Sequence, residues 1–247
     1  MNTTFQDRLA VVTGASSGIG LAVTERLLVQ GTRVLAMSRQ IGGLGELAER
    51  FTTQLSWVAG DVTQPDDLAR LAKQAASMGP VSYLVPNAGI AELAEGLDLA
   101  AFDRQWAVNG AGALNTLACL RGQLAATASV VFIGTFLAQV TFPGLAAYIA
   151  SKAALIHHAR TLAVELAPQG IRINTVSPGP TATPIWGTLG LKNEELNDVA
   201  NAVNLRLSGG QFLEAGAVAD VIVFQLSNGA RNVIGQDWVV DSGYTIR

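Results

Sequence analysis

Leu9-Ala10-Val11-Val12-Thr13-Gly14-Ala15-Ser16-Ser17-Gly18-Ile19-Gly20 is the stretch on which the fold turns. Its first five residues are almost continuously apolar, as expected of a strand covered on both faces, and they run straight into a turn with three glycines. Beyond the turn Ile19, Val23 and Leu27 recur every four residues and Gly31 supplies a stop, so a helix follows. A glycine turn between a buried strand and a helix N-terminus is an anion site: backbone N–H groups point outward and the helix dipole adds partial positive charge. Side chains at Gly18 or Gly20 would hold a pyrophosphate off the backbone or push the helix off the strand. Glycine spacing alone is weak evidence, since any tight turn favours glycine; the strand before it and the helix after it give it weight.

The same alternation continues outward. Further β-rich apolar runs occupy Arg33–Ser38, 55–60, Val81–Pro86, 129–135, 171–177 and 238–241, with helical patterns between them. One such helix starts at Thr63, Pro65, Asp66 and Asp67 and stops at Gly79; two longer ones cover about 98–122 and 146–167. Strands apolar on both faces and separated by helices predict an α/β fold, a single doubly wound Rossmann-type domain over 1–247. Its sheet should have seven mostly parallel strands with helices on both faces. No repeat, low-complexity tract or linker divides the chain. The least regular part, 181–216, is too long for an ordinary connection and reads as a lid or a pair of short helices.

Composition narrows the function. A net charge of −3 with no basic stripe gives no footprint for nucleic acid. Cys119 is the single cysteine, so neither an intrachain disulfide nor a thiolate cluster can form. The polar N-terminal residues lack a signal-peptide core, and no apolar stretch reaches spanning length, so a cytoplasmic setting without membrane attachment is expected. No metal is expected: His157 and His158 are adjacent, point in different directions on a helix, and have no acidic or cysteine partner at ligand spacing.

The end of the second strand bears on which dinucleotide fits the turn. An NAD site usually places a carboxylate about 20 residues beyond the glycines. Here no acidic residue lies between Glu25 and Glu46; Ser38 and Arg39 stand there instead. A guanidinium suits a 2′-phosphate, which favours NADP(H) over NAD(H). Later in the chain, Tyr148 and Lys152 are four residues apart at a helix start, so both side chains leave one face. Free tyrosine is a poor base, with a pKa near 10; lowering that by ~2 units requires about 2.7 kcal/mol, within reach of a nearby ammonium.

The Gly-x3-Gly-x-Gly spacing after Thr13, together with Tyr148-x3-Lys152, resembles the motifs of the short-chain dehydrogenase/reductase family, and the resemblance extends over nearly the whole chain. Asp61 and Val62 look like that family's adenine contact, and Asn87-Ala88-Gly89 its segment after strand four. Asn109 matches the helix asparagine that anchors a water chain to the lysine. Ser177-Pro178-Gly179 and Thr183 look like the segment closing over the nicotinamide amide, and 235–243 like the C-terminal strand. The resemblance implies a hydride transfer with Tyr148 exchanging the proton, Lys152 binding the nicotinamide ribose and depressing the tyrosine pKa, and Asn109 supporting proton relay. It assigns the cofactor to Gly14, Ser16, Ser17, Gly18, Ile19, Gly20, Ser38, Arg39, Asp61, Val62, Asn87, Ala88, Gly89, Tyr148, Lys152, Pro178, Gly179, Thr181 and Thr183. It also implies a homotetramer built on the two long helices.

Two positions depart from the family pattern. Thr135 stands where a serine holds the substrate oxygen; it keeps the donor hydroxyl and adds a methyl that narrows the pocket. Pro86 replaces a first asparagine and removes a backbone donor. Leu137, Val140, Phe142 and Trp186 point to an apolar pocket for a small-molecule substrate, with Leu137 and Trp186 as its contacts; the other tryptophans (Trp57, Trp106, Trp238) are candidates for core or interface. The expected activity is hydride transfer between NADP(H) and a carbonyl or secondary alcohol. Two alternatives stay open: a non-enzymatic dinucleotide-binding regulator, and a 3-oxoacyl-carrier-protein reductase.

Overall fold

Strand-forming and helix-forming segments alternate along the structure, a computed structural model that describes residues 4–247. In chain order the elements are β1 (Leu9–Thr13), α1 (Gly18–Val29), β2 (Arg33–Ser38), α2 (Leu44–Arg50), β3 (Leu55–Ala59), α3 (Pro65–Met78), β4 (Val81–Pro86), α4 (Leu99–Trp106), α5 (Ala113–Leu120), β5 (Leu124–Ile133), α6 (Ala146–Leu166), β6 (Arg172–Pro178), α7 (Asn193–Asn204), α8 (Ala215–Leu226) and β7 (Asp237–Val240). The strands form one sheet in the order β3-β2-β1-β4-β5-β6-β7, and every neighbouring pair is parallel.

Side-chain alternation along each strand explains the two covered faces. In β1, Ala10 and Val12 join Val23, Leu27 and Leu28 of α1 and Val218, Ile222 and Leu226 of α8 on one face. Leu9 and Val11 point the other way, to Leu68 and Leu71 of α3, Leu117 and Leu120 of α5, and Leu155 and Leu166 of α6. Strands buried on both sides need a continuous apolar run, which is what the sequence carries. No helix among the described residues is long and apolar enough to cross a membrane.

Three differences from the sequence expectation have physical causes. β5 starts at Leu124 instead of 129, because 124–128 extends beside β4 before a register shift. It ends at Ile133, so Thr135 lies just beyond the strand. The helix expected over 98–122 is divided: 107–112 is π-helical, between α4 and α5. A side chain at Gly110 would overlap the Trp106 ring, so this glycine lets the tryptophan lie against the backbone where the helix widens. In the region 181–216 the chain makes a 3₁₀ segment (Pro184–Leu189) and then α7.

Strand order reverses between β1 and β4, the two strands that follow the chain's departure in opposite directions. Loops leaving their C-terminal ends diverge and open a crevice there.

Candidate active site

That crevice holds a cavity of about 850 Å³ lined from the C-terminal ends of β1 through β6 and by the 181–203 segment. The residues to which the sequence assigns a catalytic, cofactor or pocket role border it, apart from Gly20, Asn109 and Val140.

The turn after β1 works through backbone geometry. Gly14 and Gly18 have φ of 63° and 53°, which glycine adopts without strain. A Cβ on Gly14 would also come within 2.7 Å of Ala88 Cα, and one on Gly20 would overlap the Gly14 carbonyl. The loop after β4 holds this turn in place: Asn87 Nδ2 donates to the carbonyls of Thr13 and Gly14, each at 3.1 Å. Thr13, which the sequence reading passed over, supplies the reciprocal contact. Its hydroxyl accepts from the amides of Asn87 (3.1 Å) and Ala88 (3.2 Å). Pro86 pairs with Thr13 at the end of β4, and the two amides that follow it take over the missing donor's place. Ser16 accepts at its carbonyl from Gly43 N (3.0 Å), tying the turn to the loop after β2.

Farther along the same edge, Ser38 is buried and its hydroxyl is spent: it donates to Gln40 O (2.7 Å) and accepts from Trp57 Nε1 (2.9 Å). Arg39 beside it is exposed, and no partner for its guanidinium is found among the described residues. Asp61 Oδ1 accepts from the Thr63 amide (2.9 Å) and hydroxyl (2.8 Å) in a local turn that aims Val62 into the pocket wall.

Past β5, Thr135 caps a short 3₁₀ turn and its Oγ1 accepts from Leu137 N at 3.3 Å. Tyr148 lines the same cavity as Thr135. Burial pushes the Tyr148 pKa above the usual tyrosine value, and the Thr135 contact acts the other way. Lys152, one turn on in α6, is buried; its Nζ donates to Ile133 O at 2.8 Å, and desolvation lowers its pKa to about 8.

Asn109 sits at 0% exposure inside the π-helical segment. Its Oδ1 accepts from Ile90 N (2.9 Å), and its Nδ2 donates to Ile90 O (3.0 Å) and Ser151 Oγ (3.1 Å). Ser151 in turn donates to Tyr148 O at 2.7 Å. Asn109 therefore joins the loop after β4 to the start of α6, one residue from the lysine. Ser151 was missed from sequence although it lies inside the Tyr148-x3-Lys152 spacing.

Residues 178–203 close the far side. Thr181 is buried and donates to Gly179 O at 2.9 Å, and Trp186 Nε1 donates to Thr181 O at 2.8 Å. A Cβ on Gly18 would come 3.0 Å from the Thr183 side chain, so this segment touches the glycine turn. Thr188 Oγ1 donates to Ala91 O at 2.7 Å, which ties the segment to the β4 loop across the cavity. Leu137 and Trp186 both line the pocket, as does Phe142; Val140 packs behind it instead. Tyr244, from the C-terminal turn, also lines it and meets Phe136 edge-on at 5.0 Å. No local sequence signal marks Tyr244, which reaches the site only through the fold.

A glycine turn at a switch point, with a Tyr–Lys pair opening onto the same cavity, defines a dinucleotide-dependent oxidoreductase site. Comparison with known proteins agrees: the family model described as enoyl-(acyl carrier protein) reductase matches residues 14–245. The chain is 36% identical to a cis-4-hydroxycyclohexanecarboxylate dehydrogenase of Sinomonas cyclohexanicum, covering 99% of each, and 30% identical to the carbonyl reductase [NADPH] 2 of Sus scrofa, again covering 99% of each. The structure superposes on the L-sorbose reductase of Gluconobacter frateurii, solved with NADPH and L-sorbose, with a TM-score of 0.90 at 25% identity over the full length of both chains. The chain belongs to the short-chain dehydrogenase/reductase family and is an oxidoreductase of alcohols and carbonyls.

The residues present fit the family's nicotinamide dinucleotide. No side chain caps the first turn of α1 and no acidic side chain stands in it, which leaves its amides for an anion. The buried Lys152 ammonium has one hydrogen bond among the described residues, well short of its three donors.

Proposed function

We propose that the chain transfers a hydride between NADP(H) and a carbonyl or secondary alcohol, with Tyr148 giving or taking the proton on the substrate oxygen. The observation that carries this reading is that Thr135, Tyr148 and Lys152 open onto the one cavity that is also lined by the glycine turn. The dinucleotide supplies or accepts the hydride. The chain does the rest. Gly14, Ser16, Ser17, Gly18, Ile19 and Gly20 receive the phosphates. Asp61 and Val62 flank the adenine; Asn87, Ala88 and Gly89 line the ribose side; Pro178, Gly179, Thr181 and Thr183 cover the nicotinamide. Thr135 orients the reacting oxygen. Lys152 binds the ribose and, as a charge near the phenol, offsets the burial that raises the Tyr148 pKa. Asn109, through Ser151, positions the helix start that carries both residues.

NADP(H) is favoured by Arg39 at the end of β2, which has no partner among the described residues, and by the lack of an acidic residue between Glu25 and Glu46. Ser38 frames the phosphate site through its backbone, since its hydroxyl is engaged. The whole chain acts as one cofactor-binding and catalytic unit with 181–216 as its lid. A cytoplasmic homotetramer is the proposed state; the exposed, stacked Phe224 and Trp238 (5.7 Å between rings) offer one contact surface. Replacing Tyr148 with Phe tests the reading: turnover should fall 10²–10⁴-fold, as for loss of a general acid, with dinucleotide affinity nearly unchanged. Retention of more than about a tenth of the rate would reject Tyr148 as the proton donor.

A second reading, reduction of chains on an acyl carrier protein, is favoured by the description of the matching family model. Turnover of carrier-bound thioesters in preference to free ketones would select it.

A further inference from the structure

We infer that the substrate is an uncharged ketone or secondary alcohol flanked by hydrocarbon, and that the site rejects its carboxylate-bearing analogues. This rests on the oxidoreductase reading above. Among the described residues lining the cavity, the charged ones are Arg39, Asp61 and Lys152. Arg39 and Asp61 follow β2 and β3. Two strands, β1 and β4, separate β2 from β5, which at about 4.8 Å per strand places Arg39 about 14 Å from the reacting hydroxyls. Lys152 lies at the reacting end, held on Ile133 O, so an anion reaching it would take the place of the reacting oxygen or the ribose.

The remaining lobe is walled by Leu137, Phe142, Trp186, Val199, Val203 and Tyr244. Two of its polar side-chain groups are engaged by the protein, and the Tyr244 hydroxyl adds a neutral group and no charge. Trp186 Nε1 is held by Thr181 O, and the Thr188 hydroxyl by Ala91 O and Ile185 O, both at 2.7 Å. Arg206 stands behind the Tyr244 ring at 4.3 Å, with its guanidinium donating to the carbonyls of Tyr244 and Arg247. Arg104, on the loop side, is paired with Glu92 at 3.1 Å. A carboxylate bound in the lobe would lose its hydration and gain no cation, whereas an alkyl or ring substituent would gain apolar contact.

Methyl hexyl ketone and its ω-carboxylate form a matched pair of probes. Each is assayed with NADPH and NADH, and the binding of each to the dinucleotide-loaded wild type is measured by calorimetry. The neutral ketone should be favoured at least about 100-fold in kcat/KM and in affinity. Equal or tighter binding of the carboxylate overturns the inference, as does failure of the neutral ketone to bind at millimolar concentration. Selective binding of the neutral ketone without turnover upholds the substrate class and rejects the catalytic reading instead.

Discussion

At the scale of single residues, the site is organised around one hydroxyl pair and one guanidinium. Thr135 lines the same cavity as Tyr148 from a turn that begins immediately after β5, and its Oγ1 accepts from the Leu137 amide. That bond uses the oxygen as an acceptor and leaves its proton free to donate. Thr135→Val keeps the shape and removes the donor, so kcat/KM on a small ketone should drop by on the order of 2–4 kcal/mol of transition-state stabilisation. Thr135→Ser should keep the rate and accept bulkier ketones, since it loses only the methyl. Steady-state kinetics of the three proteins decide this, and a fully active valine variant would leave the hydroxyl no part in catalysis. Arg39 makes a separate test. With its guanidinium exposed and without a partner among the described residues, Arg39→Asp should weaken NADPH binding and shift preference toward NADH without unfolding the protein. Titrations with both cofactors check it; equal losses for both would mean that Arg39 does not meet the 2′-phosphate. Much of this was legible beforehand, because Tyr148, Lys152 and the glycines carry their chemistry in local spacing.

At the scale of elements, the strand–turn–helix unit shows why three glycines recur. Gly14 needs a positive φ and close approach to Ala88, and Gly20 lies so near the Gly14 carbonyl that any Cβ overlaps it. Gly20→Ala should therefore destabilise the fold by about 1–3 kcal/mol, as overpacking does, and abolish the stabilisation given by dinucleotide. Denaturant titration with and without NADPH measures both effects; an unchanged response to cofactor would count against a phosphate role for the turn. The split of the α4–α5 region was not legible. Its cause is the Trp106 ring lying over Gly110, and helical periodicity carries no sign of such a contact. The π-helical stretch also presents Asn109, so the irregular turn and the buried amide occur together.

At the scale of the whole molecule, burial in the closed sheet–helix sandwich governs how stability responds to pH. Lys152 titrates near 8 in the folded chain and near 10.5 when exposed. Between those values the unfolded chain holds more protons, so raising the pH stabilises the fold; below 8 both states are charged and the burial cost is felt in full. Relative to Lys152→Met, the cofactor-free protein should gain roughly 2 kcal/mol between pH 8 and 9.5, read from denaturation midpoints. A flat difference would mean that the ammonium is not desolvated. The window stops short of pH 10, since the raised pKa values of Tyr83 and Tyr148 reverse the slope above it. The sequence by itself determined the doubly wound α/β architecture, the glycine turn and the Tyr–Lys pair, because strand burial, helix spacing and turn chemistry act over a few neighbouring residues. Only the tertiary structure decided that Thr13 and Asn87 clasp the glycine turn, that Asn109 reaches Ser151, and that Tyr244 from the chain's end walls the substrate lobe. Those contacts join residues far apart in sequence, and only the packing of sheet, helices and closing segment brings them together.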